Sequence, residues 1–342
     1  MIRMEDFDIF AVSQGLKWLM RTFFKQMAMK EGLNKLLNEG KSFVQIVEAQ
    51  GYKNLRLAEA FISFLESENI LMKDGGKFKW IDRPEKVKGK IVLEEEARAQ
   101  KMVQEKALPL FGILNNYIQQ LPDVLRGQDT HRAPELVIWD ALSETEFYNY
   151  LRYQAIMIGE LPKNSILLDI GCKTGWSTIN LIEYLDPVKV YALEADENMI
   201  DLAYENCLAK GFSEKVEFIP IDFLDESKFL DLNIRADGGF FNLFFNNYTD
   251  DQMADILYNI RNLLKTNAKI AGLQPIKDSD AITPAELLLF ADKTFLGYPE
   301  YTAFKNSFVR AGFTPPKIES SMYFSTTFEM EVEKEPKLGK GK

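Results

Sequence analysis

The chain has 342 residues, of which 46% are hydrophobic and 12% aromatic, and it carries a formal net charge of −10. This composition is typical of a folded protein with room for two domains, and no apolar run approaches the roughly 20 residues needed to cross a bilayer. The acidic balance argues against extensive nucleic-acid binding, although residues 1–90 are mildly basic, with 16 Lys+Arg against 12 Asp+Glu.

Cysteine and histidine are too scarce for a disulfide framework or a zinc cluster. Cys172 and Cys207 are the two cysteines, and His131 is the single histidine. The first ten residues are acidic and do not follow the basic-then-apolar pattern of a secretory signal. We therefore expect reduced thiols, no metal site and a cytoplasmic location.

The first ninety residues predict four helices followed by a β-hairpin. Helical patterns cover 11–29 and 31–37, separated at Gly32, and shorter ones cover 43–49, with Ser42 as the cap, and 54–68. Residues 70–80 predict two strands joined by a turn at Asp74-Gly75. This order of elements is typical of a winged helix.

A winged helix binds DNA through the helix before its hairpin. The charge of that helix therefore distinguishes DNA binding from packing against a second subunit. Helix 54–68 carries Arg56 against Glu59, Glu66 and Glu68, which would repel phosphates. We therefore favour a module whose apolar stripes pack against a second subunit, and we keep DNA binding as a remote alternative.

The middle of the chain predicts helices around one loop. Residues 84–132 look helical and partly polar, with an acidic run at 94–96 on a solvated face and a more apolar segment at 107–121. Loop 127–134 contains His131, a surface residue by default but the only side chain with an ordinary pKa near neutrality, so it is kept as a catalytic candidate. The aromatic helix 135–157 could wall a pocket for a flat substrate.

The stretch S-I-L-L-D-I-G-C-K-T-G, residues 165–175, predicts a strand buried on both faces that ends in Asp169 and a glycine turn. A helix follows at 176–184, so backbone N–H groups and the helix dipole meet at this turn and favour a polar ligand. A dinucleotide fingerprint would need glycines at 171, 173 and 176, whereas the chain has Gly171, Lys173 and Trp176. Nicotinamide-dinucleotide binding is therefore not expected.

The second half predicts alternating strands and helices. Strand 188–194 ends in Glu194, which is placed to accept hydrogen bonds from both ribose hydroxyls of an adenosine. Strand 216–220 is followed by Asp222 and Phe223. The remaining predicted elements are a helix at 196–210, a strand at 238–245, a helix at 249–264 capped by Thr249, a strand at 269–273, antiparallel strands at 317–324 and 326–332, and a disordered tail at 333–342.

Asp169, Gly171 and Gly175 resemble the D-x-G-x-G-x-G loop of class I S-adenosylmethionine (SAM) methyltransferases, with Lys173 in place of the middle glycine. The resemblance implies that Asp222 takes the adenine amino group and that Phe223 packs on the ring. It implies SAM as the cofactor, bound by Asp169, Gly171, Lys173, Gly175, Glu194, Ala195, Asp222, Phe223 and Asn242.

The fold that this resemblance implies is an α/β, Rossmann-like class I methyltransferase sheet, mostly parallel with an antiparallel C-terminal hairpin. A mainly helical winged-helix dimerisation domain would precede it. The expected boundaries are 1–90 for the dimerisation domain, 91–158 for a helical linker with the substrate-pocket helices, 159–332 for the SAM-binding domain and 333–342 for the tail.

Over nearly the whole chain the sequence resembles small-molecule O-methyltransferases of the acetylserotonin and caffeate type. Residues 244–252, F-F-N-N-Y-T-D-D-Q, are similar to a motif that normally reads L-H-D-W-S-D-E. Asn246 stands at the general-base histidine, Asn247 at the next aspartate, and Asn242 where the family often has a lysine. An amide cannot take a proton near neutral pH, so Asn246 is a catalytic candidate only as a group that orients a hydroxyl.

Lys173 leaves two possibilities open. A lysine is disfavoured if the loop needs a positive φ there, whereas a tolerated backbone would let its ammonium meet the carboxylate of SAM.

Two hypotheses for function follow. The first is a SAM-dependent methyltransferase, most simply an O-methyltransferase, that acts in a homodimer on a small aromatic or quinone-like acceptor, with neither a membrane nor a nucleic acid as partner. The second is a SAM-binding homologue that has lost methyl transfer or uses SAM for other chemistry.

Overall fold

A computed structural model of the chain describes residues 9–81, 97, 101, 108–128, 136–277 and 282–329. The chain divides into two compact units, the first within 1–151 and 279–298 and the second within 152–278 and 299–342. Among the described residues, no helix is both long enough and apolar enough to cross a membrane. His131, the acidic run at 94–96 and the predicted tail at 333–342 lie outside the described residues.

The first unit is mainly helical. Its helices are α1 Ile9–Lys30, α2 Leu33–Leu36, α3 Phe43–Gln50, α4 Leu55–Ser67, α5 Leu108–Leu125, α6 Leu136–Glu144 and the first part of α7 Glu146–Ile158, and α12 Pro284–Leu289 joins them from later in the chain. Its strands are β1 Lys41–Ser42, β2 Leu71–Asp74 and β3 Lys77–Trp80, which form an antiparallel sheet in the order β1-β3-β2.

Local capping explains why these helices begin where they do. The Ser42 hydroxyl accepts from Gln45 N, and the Gln45 side chain accepts from Ser42 N, which is a complete capping box for α3. Asn54 caps α4 with a single hydrogen bond, which its side-chain oxygen accepts from Leu57 N. Leu57, Phe61 and Leu65 of α4 are fully buried because its apolar positions recur at helical spacing.

Two predictions for this region are corrected in detail. The hairpin turn consists of Gly75 and Gly76, both at positive φ, because Asp74 still pairs with Lys77. The predicted helix 135–157 is two helices, α6 and α7. Thr145 separates them because its hydroxyl donates to Leu142 O and accepts from Tyr148 N, so it begins a new helix.

The second unit contains a seven-stranded sheet in the order β6-β5-β4-β7-β8-β10-β9. The strands β6, β5, β4, β7 and β8 are parallel, and β10 pairs antiparallel with both β8 and β9. The strands are β4 Ile166–Ile170, β5 Lys189–Glu194, β6 Val216–Pro220, β7 Ala236–Asn242, β8 Leu264–Leu273, β9 Lys317–Glu319 and β10 Tyr323–Thr327, and the helices are α8 Trp176–Leu185, α9 Glu197–Ala209, α10 Glu226–Leu230, α11 Asp250–Arg261 and α13 Tyr301–Arg310.

Three strand boundaries differ from those predicted. Strand β7 ends at Asn242 instead of continuing to 245, because Leu243 adopts φ +52° and residues 245–247 form a 3₁₀ turn. Strand β8 begins at Leu264, five residues early. The C-terminal strands are divided at 320–322, since Ser320 and Ser321 both take positive φ values. Helix α13, which the sequence analysis did not predict, packs on α11.

Candidate functional site

The candidate site lies where the parallel strands of the second unit end. Strand β4 has β5 on one side and β7 on the other, so the chain reverses its winding direction at β4. In open α/β sheets, ligands bind at the carboxyl ends of the strands at such a point. The same edge carries Asp169 on β4, Glu194 at the end of β5, Asp222 after β6 and Asn242 at the end of β7. The topology therefore brings predicted residues from four strands to one place.

Asp169 joins the central strand to the following helix. Its carboxylate is fully buried, and Oδ2 accepts hydrogen bonds from Ser177 Oγ at 2.7 Å and Thr178 Oγ1 at 2.6 Å, both in the first turn of α8. Oδ1 is buried as well and accepts from no described residue. Burial raises the pKa of Asp169 to about 6, and the two hydroxyl hydrogen bonds act against that rise.

The turn after β4 requires glycine at two positions, because the backbone there is left-handed and a Cβ would meet neighbouring atoms. Gly171 and Gly175 take φ values of +71° and +84°, in the left-handed region. A Cβ on Gly171 would lie 2.3 Å from a ring carbon of Phe244, and one on Gly175 would lie 3.0 Å from Ala203 on α9. The turn therefore packs directly against the chain that leaves β7 and against the next helix.

Lys173 does occupy a left-handed position, at φ +50°. Its ammonium points inward and donates to Leu243 O at 3.1 Å, and its backbone N–H donates to Glu194 Oε2 at 3.0 Å. Burial lowers the pKa of the ammonium to about 8, with Glu194 opposing this and the cation of Arg152 reinforcing it. A lysine is thus accommodated at a strained position and places a titratable cation inside the site.

Glu194 is almost fully buried but is not saturated with hydrogen bonds. Oε1 accepts from Ala195 N at 2.8 Å and Asp196 N at 3.1 Å, while Oε2 accepts, among the residues that the structure describes, only from Lys173 N. Since each carboxylate oxygen offers about two acceptor positions, Oε2 keeps one for a ligand. Ala195, predicted as a binding residue, contributes its backbone N–H to Glu194 in this structure.

Asp222 and Phe223 lie beside a row of aromatic rings. Asp222 is exposed, and its Oδ1 accepts from Leu224 N at 3.0 Å, so Oδ2 is left without a donor among the described residues. The Phe223 ring is 4.7 Å from the Phe244 ring, which in turn is 5.1 Å from the Tyr248 ring.

Tyr248 links the two acidic residues. Burial raises the pKa of its hydroxyl to about 12, and the negative charges of Glu194 and Asp222 contribute to the rise. Both negative charges therefore act on the hydroxyl of this half-buried tyrosine.

The amides after β7 form a second polar group. Asn242 is buried, and its Oδ1 accepts from no described residue. Asn246, on the 3₁₀ turn, accepts through Oδ1 from Gln274 Nε2 at 2.7 Å. Gln274, directly after β8, is fully buried; its Oε1 accepts from Phe245 N at 3.0 Å and its Nε2 also donates to Pro275 O at 3.0 Å.

Sequence reasoning missed the roles of Gln274 and Tyr248. Gln274 is a polar residue that directly follows the apolar strand β8, the same signal that singled out Glu194 after β5. Tyr248 was assigned only to the helix-capping segment. For the buried Arg152, whose Nε donates to Asn180 Oδ1 at 2.6 Å, the sequence offered no signal.

The residues present suit a ligand that carries several hydrogen-bond donors and one carboxylate, as SAM does. Four acceptors are available at the strand ends: Asp169 Oδ1, Glu194 Oε2, Asp222 Oδ2 and Asn242 Oδ1. They match in kind the ribose hydroxyls, the adenine amino group and the ammonium of SAM. The Lys173 ammonium is a cation of the kind that pairs with a carboxylate.

A model of the family described as "methyltransferase domain" matches residues 167–267. A curated relative, the O-methyltransferase xanE of Aspergillus fumigatus, is 24% identical over 196 residues, which are 57% of this chain and 40% of that protein. The matched region is therefore about two fifths of that relative's length.

Solved structures with the same fold include carbon and oxygen methyltransferases. The CurJ carbon methyltransferase is 16% identical with a TM-score of 0.65, covering 92% of each chain. The DszA carbon methyltransferase is 14% identical with a TM-score of 0.63, covering 93% of this chain and 90% of its own. An O-methyltransferase family 2 protein from Planctomyces limnophilus, crystallised with apigenin, is 14% identical with a TM-score of 0.53, covering 92% and 95%. These neighbours confirm the predicted α/β fold, with its mostly parallel sheet, antiparallel C-terminal hairpin and helical N-terminal region.

Proposed function

We propose that this chain, which contains a class I methyltransferase domain with SAM as its expected cofactor, transfers a methyl group to a small aromatic or quinone-like acceptor, with oxygen as the favoured atom. The observation that carries the proposal is the placement of Glu194 and Asp222 at the carboxyl ends of the neighbouring strands β5 and β6, beside buried acceptors at the ends of β4 and β7. This set of groups matches the donors of SAM in kind.

The chain's own residues would act mainly by binding and alignment. SAM, when bound, supplies a methyl carbon activated by a sulfonium leaving group. Glu194 and Asp222 would hold the adenosine, and Lys173 the carboxylate. Alignment of acceptor and methyl carbon contributes several kcal/mol, up to about 7 to 11, whereas a general base adds a factor of about 10² to 10⁴. An enzyme with Asn246 in place of a base can therefore act on an acidic acceptor.

The alternative is a homologue that binds SAM without transferring its methyl group. Asn246 favours it, because an amide supplies no base. To separate the two, the purified full chain is incubated with SAM and a panel of phenols and hydroxyquinones. S-adenosylhomocysteine and methylated acceptor are then measured by mass spectrometry, and SAM binding by calorimetry. Product formation supports transfer, binding without product supports the alternative, and absence of binding contradicts both.

We also propose that residues 1–90 form a winged-helix dimerisation domain, that 91–158 form a linker with pocket helices, and that 159–332 bind SAM. The order of helices before the hairpin β2-β3 supports the first of these. Its described surface exposes apolar side chains that a second copy would cover, namely Met29, Val44, Leu55 and Met72. Sedimentation should give a dimer at micromolar concentration, and a DNA shift assay at low salt should show no complex.

Lys173 makes a prediction about pH. Its ammonium is charged below its pKa of about 8 and neutral above it, so its attraction for the SAM carboxylate fades as the pH rises from 7 to 9.5. We expect the affinity of the wild-type chain to fall over this range by roughly tenfold more than that of the Lys173→Gln variant, measured by calorimetry.

The amino group of SAM titrates near about pH 8 with both proteins, so only the difference between them reports on Lys173. Lys228→Gln, an exposed lysine on α10, is the control and should behave as wild type. Tighter SAM binding by Lys173→Gln at pH 7 would show that the lysine obstructs the site.

A further inference from the structure

The hydrogen bonds around Gln274 determine which end of the Asn246 amide meets Gln274 and which end is turned away from it. Phe245 N–H can only donate, so the group that meets it must be Gln274 Oε1. The other end of the same amide, Nε2, then donates to Pro275 O and to Asn246. Because both N–H groups of Nε2 are donors, the atom of Asn246 that meets them must be its carbonyl oxygen.

The amide of Asn246 therefore presents its NH₂ group away from Gln274. No described residue accepts a hydrogen bond from Nδ2, which leaves this donor for a ligand. The exposed fraction of the whole Asn246 residue is 8%. Hydrogen bonds from amide N–H groups aimed at an oxygen with negative charge are stronger than those between neutral groups.

This geometry restricts what can bind there. A neutral hydroxyl must give up its proton to become a good nucleophile, and neither end of the Asn246 amide is basic enough to take that proton near neutral pH. Nδ2 instead favours an oxygen that has no proton: a phenolate, or the carbonyl-type oxygen of an enolate. Asn246 is thus arranged to bind an anion and cannot assist its formation.

We propose that the methyl acceptor binds as a preformed, resonance-stabilised oxyanion, recognised by Asn246 Nδ2 and with Gln274 as the positioning residue. This inference rests on the proposed function. The acceptor loses its proton to solvent before it binds. Its oxygen or carbon then forms the new bond to the methyl carbon while the sulfur–methyl bond breaks with its electrons left on sulfur. Both products are uncharged at the reacting atoms, and no proton passes through the protein.

The test uses 4-nitrophenol and 2-hydroxy-1,4-naphthoquinone, whose visible absorption reports their ionisation, with the full chain saturated by S-adenosylhomocysteine. We expect the protein to bind the ionised forms at least tenfold more tightly than the neutral forms, so that the pKa of each bound probe falls by about one unit. Equal affinity for the two forms, or no binding of either probe at millimolar concentration, would overturn the proposal.

Two variants test whether Asn246 causes the tighter binding of the ionised probes. Asn246→Asp replaces the donor with a carboxylate of the same shape that can still accept from Gln274, and it should weaken binding of the anionic probes by about tenfold to a hundredfold. Asn247→Asp adds the same charge one residue away on the exposed side of the 3₁₀ turn, and it should leave probe binding within about twofold. Equal losses in the two variants would assign the effect to net charge and contradict the role of Asn246.

Gln274→Glu tests the positioning role. A carboxylate can still accept from Phe245 N but cannot donate to Asn246, so the Asn246 amide should turn its NH₂ group inward. The pKa of the bound probe should return toward its value in water. An unchanged probe pKa with this variant would remove Gln274 from the argument.

A kinetic readout distinguishes this inference from the proposed function. Across phenols of graded acidity, up to an unactivated phenol with a pKa of about 10, kcat/KM should reach its plateau only above each acceptor's own pKa. Asn246→His, which introduces a base, should make the profile depend less on acceptor acidity. Methylation with one pH profile for every acceptor would contradict the oxyanion while leaving the methyltransferase in place. Absence of SAM binding would contradict the methyltransferase itself.

Discussion

Replacement of Glu194 by alanine should weaken SAM binding by about 1 to 3 kcal/mol, roughly fivefold to 150-fold in Kd, because a ligand hydroxyl loses a charged acceptor. The carboxylate keeps one acceptor position on Oε2 after its three backbone hydrogen bonds. Calorimetry with SAM and S-adenosylhomocysteine measures the change. Glu205→Ala on the exposed side of α9 is the matched control and should bind as wild type.

A comparison of adenosine with 2′-deoxyadenosine tests whether the affinity lost in Glu194→Ala comes from the ribose. In the wild-type chain, adenosine should bind more tightly than 2′-deoxyadenosine, whereas in Glu194→Ala the two should bind equally. Because the same hydroxyl is removed in both comparisons, the difference isolates its contact with Glu194. If the variant kept the wild-type preference, or if SAM affinity were unchanged, Glu194 would not line the cofactor site.

The sequence could locate Glu194 and Asp222 because parallel strands place their carboxyl ends at one edge. Each acidic residue follows a short apolar run, so an approximate strand boundary was enough to bring them together. The same reasoning placed Asp169, although its visible contacts are with Ser177 and Thr178 at the start of α8. A position in the site could thus be predicted, but the partner of each oxygen could not.

The errors arose where backbone conformation, and not polarity, decides the structure. Leu243 is apolar and sits in an apolar run, yet its left-handed φ ends β7 and turns its carbonyl toward Lys173. Whether a lysine fits at position 173 depends on the φ value there, and no sequence pattern gives that value. Gln274 is 28 residues from Asn246, so their hydrogen bond depends on the pairing of β7 with β8. Contacts of this kind require the folded sheet.

Substitution of Gly171 by alanine should reduce the stability of the second unit by about 2 to 5 kcal/mol. A left-handed φ costs an alanine roughly 1 to 2 kcal/mol, and overpacking in a full interior costs about 1 to 3 more. The overpacking follows from the 2.3 Å approach of the added Cβ to the Phe244 ring. Urea unfolding, followed by hydrogen exchange of peptides covering 165–185, measures the loss.

Gly211→Ala separates the two contributions. Gly211 has φ +77°, close to the +71° of Gly171, but a Cβ there would meet nothing within 4 Å. It should therefore lose only the conformational part, about 1 to 2 kcal/mol. Phe244→Leu in the Gly171→Ala background should recover part of the remainder, because the smaller side chain relieves the contact. Equal losses in the two glycine variants, with no recovery in the double variant, would mean that Phe244 does not rest on the turn. The row of rings from Phe223 to Tyr248 would then have no fixed contact with the turn after β4, and its position near Glu194 and Asp222 would have no structural explanation.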